Sequence, residues 1–203
     1  MQRQEARTGW GFPSEIMKRK IRCDAKCKRE AHSEYDRTEK SKRIAERLFA
    51  HPDFKSAKTI LFYASTKHEA NTHEMIEDAL MAGKKVALPA TDMKCHCLHI
   101  FEIKCLRDVE PGQFGILEPV KGKSSPIKPA SVDLVIVPGL AFDCKGNRIG
   151  YGMGFYDSLL KQMPHAKAIA LAFEFQLVEE IPSEAHDVRV HRIITEERAI
   201  ECQ

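Results

Sequence analysis

The run Val132-Asp-Leu-Val-Ile-Val137 restricts the fold more than any other part of the chain, because its apolar residues do not alternate with polar ones. A strand of this kind has both faces covered, which places it inside a sheet with helices packed on each side. Residues 59–64, 85–88, 97–103 and 168–173 are further strand candidates, and segments with helical spacing separate most of them. This alternation predicts an α/β fold with a mostly parallel central sheet flanked by helices on both faces.

The helices come with punctuation. Ser14 and Ser33 are placed to cap an N-terminal helical pair, the second member of which carries the apolar stripe Ile44, Leu48 and Phe49. His51-Pro52 ends the pair. Thr72 stands as an N-cap before Met75, Ile76, Ala79 and Leu80, and Gly83 stops that helix ahead of the next strand. A last helix over residues 155–163 joins the two strongest strands. The Pro- and Gly-rich stretch 111–129 keeps its apolar residues and reads as a loop laid over the sheet rather than a linker. Residues 1–16 are expected to form a disordered extension, with Met17 an alternative start, and residues 17–203 a single domain.

Composition narrows the function classes. At 203 residues and 43% hydrophobic content the chain can bury a core without metal or disulfide staples. No apolar run approaches the roughly 18 residues of a membrane span, and the first residues lack the apolar middle of a secretory signal. A cytoplasmic protein without a membrane partner is expected. The seven cysteines are scattered, which suits reduced thiols. Cys95, Cys97 and His99 would share one face of a strand and could touch one metal, but the spacing is not that of a zinc knuckle and no second ligand pair follows. Side chains of a half-buried strand account for them better. Residues 18–47 hold twelve Lys or Arg against six Asp or Glu. That surplus could meet a phosphate or polyanion, although a solvated helix face explains most such runs.

The densest chemistry follows the central strand: Pro138-Gly-Leu-Ala-Phe-Asp143, then Gly146-Asn-Arg-Ile-Gly-Tyr-Gly-Met-Gly-Phe-Tyr-Asp157. Gly150, Gly152 and Gly154 permit backbone conformations closed to other residues and can turn successive N–H groups onto one anion. Ahead of a helix start they make a phosphate cradle. Arg148 adds a bidentate fork for phosphate oxygens, and Asp157 adds a hard carboxylate suited to magnesium. Neither the P-loop spacing nor Gly-x-Gly-x-x-Gly is present, which weakens a dehydrogenase reading even though Glu174 sits where a ribose-binding acid would. A tight strand-to-helix turn would also explain alternate glycines, but not the flanking Arg148 and Asp157.

The run from Pro138 through Asp157 resembles the signature of the 5-formyltetrahydrofolate cyclo-ligase family, and the resemblance extends from Lys18 to about Thr195. It implies an ATP- and Mg2+-dependent ligase of one-carbon metabolism that converts 5-formyltetrahydrofolate to 5,10-methenyltetrahydrofolate. It further implies that Lys18 and Arg22, on one face of the first helix, reach the nucleotide phosphates together with Arg148, Ile149, Gly150, Tyr151, Gly152, Met153, Gly154, Phe155 and Tyr156. Lys18 and Arg148 are the implied catalytic pair. The reduced folate is expected against Ala64, Glu69 and residues 151–155, with the Glu69 carboxylate accepting paired hydrogen bonds from the pterin. Asp157 and Asp187 are the implied metal ligands. Met153, Phe155 and His191 depart from the family pattern. The expected partner is a small molecule, with no nucleic acid and a monomeric protein. The competing readings are a same-fold relative acting on another pterin or small molecule, and a nucleic-acid-binding protein using the basic helical pair.

Overall fold

The computed structural model describes residues 14–202. Five α-helices run α1 (Ser14–Glu30), α2 (Glu34–Ala50), α3 (Pro52–Ser56), α4 (His73–Met81) and α5 (Phe155–Lys161). Eight strands build the main sheet: β1 (Thr59–Leu61), β2 (Lys85–Asp92), β3 (Cys97–Ile103), β4 (Ser125–Pro126), β5 (Leu134–Val137), β6 (Lys167–Leu171), β7 (Arg192–Ile194) and β8 (Ala199–Glu201). Their spatial order is β8-β7-β6-β5-β1-β2-β3-β4. The β2–β1–β5–β6–β7 core is parallel, and antiparallel strands finish both edges. The sheet is therefore mostly parallel, as β5 required. Of the expected N-terminal extension, residues 1–13 lie outside the described residues, while 14–16 belong to the first turn of α1.

The strands divide their side chains between two cores, which is why β5 reads as continuously apolar. Leu134 and Ile136, with Ile60, Ile169 and Leu171, face the cluster built with Ile44 and Leu48 of α2 and Met75, Ile76 and Ala79 of α4. Val135 and Val137, with Leu61, Ala168 and Ala170, face Leu159 and Leu160 of α5. Successive strand residues point to opposite faces, so a strand covered on both sides has no position for a polar residue. Asp133, just before β5, keeps its carboxylate at the sheet end, where it accepts from the amides of Lys58 and Thr59 at 2.8 and 2.9 Å.

Capping follows the sequence only in part. Ser33 caps α2 by accepting from the Asp36 amide, and Gly83, at φ +75°, ends α4 with the Lys84 amide returned to Ala79 O. Thr72 is not a capping side chain. Its hydroxyl donates to Tyr63 O at 2.6 Å and accepts from the Ser65 amide, while Asn71 Oδ1 takes the His73 amide. The stretch expected to be a loop also carries ladder structure, because residues 109–111 pair with 117–119 and β4 extends the sheet edge. The β7–β8 hairpin had no expected counterpart. No helix among the described residues is long and apolar enough to cross a membrane.

One buried carboxylate fixes the segment that follows β5. Asp143, fully buried, accepts from the amides of Lys145, Asn147 and Ile181 and from Asn147 Nδ2, all at 2.9–3.0 Å. These bonds shape the hairpin that pairs Ala141–Phe142 with Arg148–Ile149. An Asp143→Ala variant strands several donors, so an unfolding free energy lower by about 3 kcal/mol or more is expected. Calorimetry should show this as a melting temperature lower by roughly 6–12 °C.

Candidate active site

The strand order reverses between β1 and β5. The connection from β1 to β2 runs through α4 on one face, and that from β5 to β6 runs through α5 on the other. In open α/β sheets the crevice beyond the carboxyl ends of two such strands is where ligands bind. In this chain the two segments leaving those ends are the ones that carry Ala64 and Glu69, after β1, and the glycine-rich loop, after β5.

Helix α1 lies across this crevice, and it docks by charge. Its buried residues are Lys18, Ala25 and Arg29, one stripe at helical spacing. Beside the stripe, Ile21 joins Ala25 against Leu140, Ala141, Ile149 and Ile181. Lys18 Nζ lies 3.1 Å from Glu184 Oε1 and 3.0 Å from Asp187 Oδ2. Arg22 Nε donates to Gly150 O at 3.0 Å, and its guanidinium lies near Gly152. Lys26 sits over the Tyr151 ring, 5.3 Å from its centroid.

The loop itself is built for close backbone approach. Gly152 and Gly154 hold φ of +98° and +66°, conformations that strain any other residue. A Cβ placed on Gly150 or Gly154 would meet nothing within 4 Å. Among the described residues the amides of Tyr151, Gly152, Met153 and Gly154 donate to no protein acceptor. Met153 O receives His96 Nε2 at 2.9 Å, and the His96 ring stacks on Phe155 at 4.6 Å. Open amides, positive φ and adjacent cations suit a polyphosphate.

Arg148 is not a free fork. With its side chain 6% exposed, it donates through Nη2 to Asp157 Oδ1 at 2.7 Å and through Nη1 to Val188 O. Asp157 Oδ1 also accepts the Val188 amide at 3.0 Å, which leaves Oδ2 without a hydrogen bond among the described residues. Val188 adjoins Asp187, so the two expected metal ligands belong to one connected cluster. Burial lowers the Arg148 pKa, opposed by the Asp157 charge. Burial also acts to lower Lys18, but its bonds to Asp187 and Glu184 outweigh it and the net shift is upward. Asp187, raised by burial but lowered more by the Glu184 amide and Lys18, titrates below its usual range, as does Glu184 through its bond to Lys18.

Glu69 faces the other end of the stripe. Its Oε2 accepts from the Thr66 amide and hydroxyl at 2.8 and 3.0 Å, and its Oε1 lies 3.5 Å from Arg29 Nη2. Arg29 donates through Nε to His68 O, while its two terminal nitrogens, one of them in the ion pair with Glu69, and the Tyr156 hydroxyl are buried without a hydrogen bond among the described residues. Burial, with the Glu69 charge adding to it, pushes the Tyr156 phenol well up. Unpartnered buried donors around a carboxylate suit a polar ligand that would satisfy them.

The crevice thus gathers Lys18, Arg22, Arg148, Asp157, Asp187, Glu69 and residues 150–156, while Ala64 is buried in the segment that leaves β1. Ile149 is present through its backbone only, since its side chain is in the core. His191 lies apart, where its Nδ1 accepts the Ala168 amide between β6 and β7. Sequence reasoning passed over Arg29, Glu184 and His96. Arg29 was within reach, because Lys18, Arg22 and Ala25 lead to it at helical spacing. Glu184 and His96 are exposed loop residues whose partners are distant in sequence.

Fold and crevice define an α/β protein with one main sheet, in which open loop amides and the cations of α1 stand beside the Glu69 carboxylate. The model of the 5-formyltetrahydrofolate cyclo-ligase family matches residues 14–196, and the chain belongs to that family. The mouse 5-formyltetrahydrofolate cyclo-ligase is 27% identical over 190 residues, covering 89% of this chain and 94% of its own. That of Haemophilus influenzae is 34% identical over 69% of this chain and 76% of its own. The solved 5,10-methenyltetrahydrofolate synthetase of Aquifex aeolicus superposes with a TM-score of 0.81 at 30% identity, covering 92% of this chain and 93% of that one.

The linked pKa shifts fix a pH dependence. Carboxylates held low contribute stability above their unfolded pKa values, and that contribution is lost as pH falls through the lowered folded values. Lys18, held high, keeps its contribution until pH rises through its raised value. The stability lost on Lys18→Met should therefore be largest near neutrality and vanish at acid pH, as read by urea unfolding at a series of pH values.

Proposed function

We propose that the chain uses ATP and Mg2+ to convert 5-formyltetrahydrofolate to 5,10-methenyltetrahydrofolate, with release of ADP and phosphate. The observation that carries this reading is the meeting of the α1 cations with the open amides of the glycine loop, next to Glu69, at the reversal of strand order. Phosphorylation of the formyl oxygen makes it a phosphate leaving group, and the second folate nitrogen then attacks the activated carbon to close the ring. Chemistry of this kind depends on positioning and charge neutralisation more than on a covalent nucleophile.

Each residue has a part in that scheme. Lys18, Arg22 and the amides of residues 150–154 hold the phosphates, while Arg148 fixes Asp157 and adds positive charge from behind the loop. Asp157 and Asp187 offer the hard oxygens that magnesium prefers, and the bound ion would supply further charge neutralisation. Glu69, held by Thr66 and Arg29, orients the pterin, with Ala64 beside it and Tyr151 and Phe155 as aromatic surface. Five of the seven cysteines, Cys23, Cys27, Cys105, Cys144 and Cys202, are free thiols that fit work in a reducing compartment such as the cytoplasm, while Cys95 and Cys97, expected as thiols, are joined in a disulfide.

Incubation with ATP, Mg2+ and 5-formyltetrahydrofolate should generate the absorbance of the methenyl product. Arg148→Ala and Asp157→Ala should each lower kcat at least about 100-fold while circular dichroism stays native. Full activity in both variants would remove the loop from the mechanism. Glu69→Gln should raise KM for the folate roughly tenfold or more and leave KM for ATP unchanged, because the carboxylate lies at the opposite end of the α1 stripe from Lys18. Activity on a different pterin, with none on the formylfolate, would instead favour the same-fold alternative.

A further inference from the structure

The turn between β2 and β3 holds a group of side chains for which the cyclo-ligase reaction has no use. Asp92 and Cys97 are opposite one another at the end of the ladder, and Ala90 is opposite His99. Cys97 and His99, two apart on one strand, project from the same face. The turn residue His96, at φ +52°, brings the chain back so that Cys95 joins them. His99 Nε2 lies 3.6 Å from Cys97 Sγ, 4.0 Å from Cys95 Sγ and 3.6 Å from Asp92 Oδ2. The donor atoms of Cys95, Cys97 and His99 all fall within 4.8 Å of one another. The strand is half-buried, as expected from the sequence, but Cys95 lies in the turn ahead of it; Cys95 and His99 are exposed and Cys97 is partly covered.

We propose that the dithiol form of this hairpin is a binding site for a thiophilic divalent metal of the zinc type, with Cys95, Cys97 and His99 as ligands and Asp92 as the fourth. Ligand atoms at 2.0–2.3 Å around a tetrahedral ion are about 3.4–3.8 Å apart. The distances from the imidazole to the Cys97 sulfur and to the Asp92 carboxylate already have that spacing, and the Cys95 sulfur, at 4.0 Å, lies just beyond it. Two sulfurs and an imidazole select a soft or borderline ion and exclude magnesium, which takes oxygen ligands. Four protein ligands leave no position for substrate, so the site is structural in kind.

Cys95 and Cys97 are joined here by a disulfide, and a disulfide and a metal make exclusive demands on the same sulfurs. A phosphine and one water convert the disulfide to two thiols and the phosphine oxide. Metal binding then displaces two protons as the thiols become thiolates. The site has a route to the active crevice, because His96, in the same turn, holds Met153 O and stacks on Phe155. An ion that fixes the turn thus stiffens one support of the glycine loop.

Cobalt(II), titrated into the full-length, tag-free chain after phosphine reduction, is the probe. Thiolate-to-cobalt charge-transfer absorption and the visible bands of a tetrahedral ion are expected to saturate at one equivalent and to disappear when zinc is added. The Cys95→Ser/Cys97→Ser double variant, which retains the five other thiols, should give neither signal and, without added cobalt or zinc, should turn over formylfolate as the metal-free wild type does. His99→Ala and Asp92→Asn should each weaken binding, and the unreduced protein should not bind. Absence of a charge-transfer band in the reduced protein, or its persistence in the double variant, would overturn the proposal. Neither outcome touches the cyclo-ligase reading, because neither cysteine belongs to the machinery assigned to it.

Discussion

The architecture depends on how a helix with almost no apolar face is held across the open end of a sheet. The buried positions of α1 are Lys18, Ala25 and Arg29, so beyond the small apolar contact of Ile21 and Ala25 its docking rests on paired charges. Burying charges is costly unless they are paired, and each cation is met by an oxygen: Lys18 by Glu184 and Asp187, Arg22 by Gly150 O, Arg29 by His68 O and Glu69. The partners lie on three different segments leaving the sheet. Docking α1 therefore also fixes where those segments stand relative to one another.

Those segments meet because of the topology. A mostly parallel sheet whose strand order reverses between β1 and β5 sends one crossover to each face, and the backbone leaving the two strands opens a crevice that α1 crosses. The sequence can place a backbone-rich anion site there only if the loop after β5 is held rigid. Rigidity comes from Asp143, whose carboxylate collects four donors, and from Gln176, whose Nε2 donates to Gly139 O and Leu140 O. The loop amides at residues 151–154 are then free for a ligand because the turns before them are satisfied by side chains.

The sheet and the loop were legible in the sequence for the same reason: both are local signals. The non-alternating apolar run of β5 states that two faces are covered, and Gly150, Gly152 and Gly154 state that the backbone must go where side chains cannot. Lys18 and Arg22 were legible as one helix face. Less local features were not. Thr72 has the residue type of a cap, but its hydroxyl is drawn to Tyr63 O, a competition that spacing cannot reveal. The fork of Arg148 turns onto Asp157 and Val188 because of a strand-to-loop contact some forty residues away. The hairpin cysteines read as strand side chains because the exposed end of a ladder looks in sequence like its middle.

The charge balance of the crevice explains why a polyanion would need a companion ion. Lys18 and Arg148 are already paired with Glu184, Asp187 and Asp157, so the cluster does not present the bare positive field of a simple phosphate trap. A triphosphate carries about four negative charges, and bringing it next to three carboxylates would set like charges together in a partly dry site, where repulsion is strong. On the proposed reading, a divalent cation arriving with the phosphates would reverse that sign, because it would give the carboxylates of Asp157 and Asp187 a new partner and free the Lys18 ammonium for phosphate oxygens, while Arg148 keeps its hold on Asp157. Binding of this kind would be an exchange of partners among groups already in place, and nucleotide affinity would then depend on the metal.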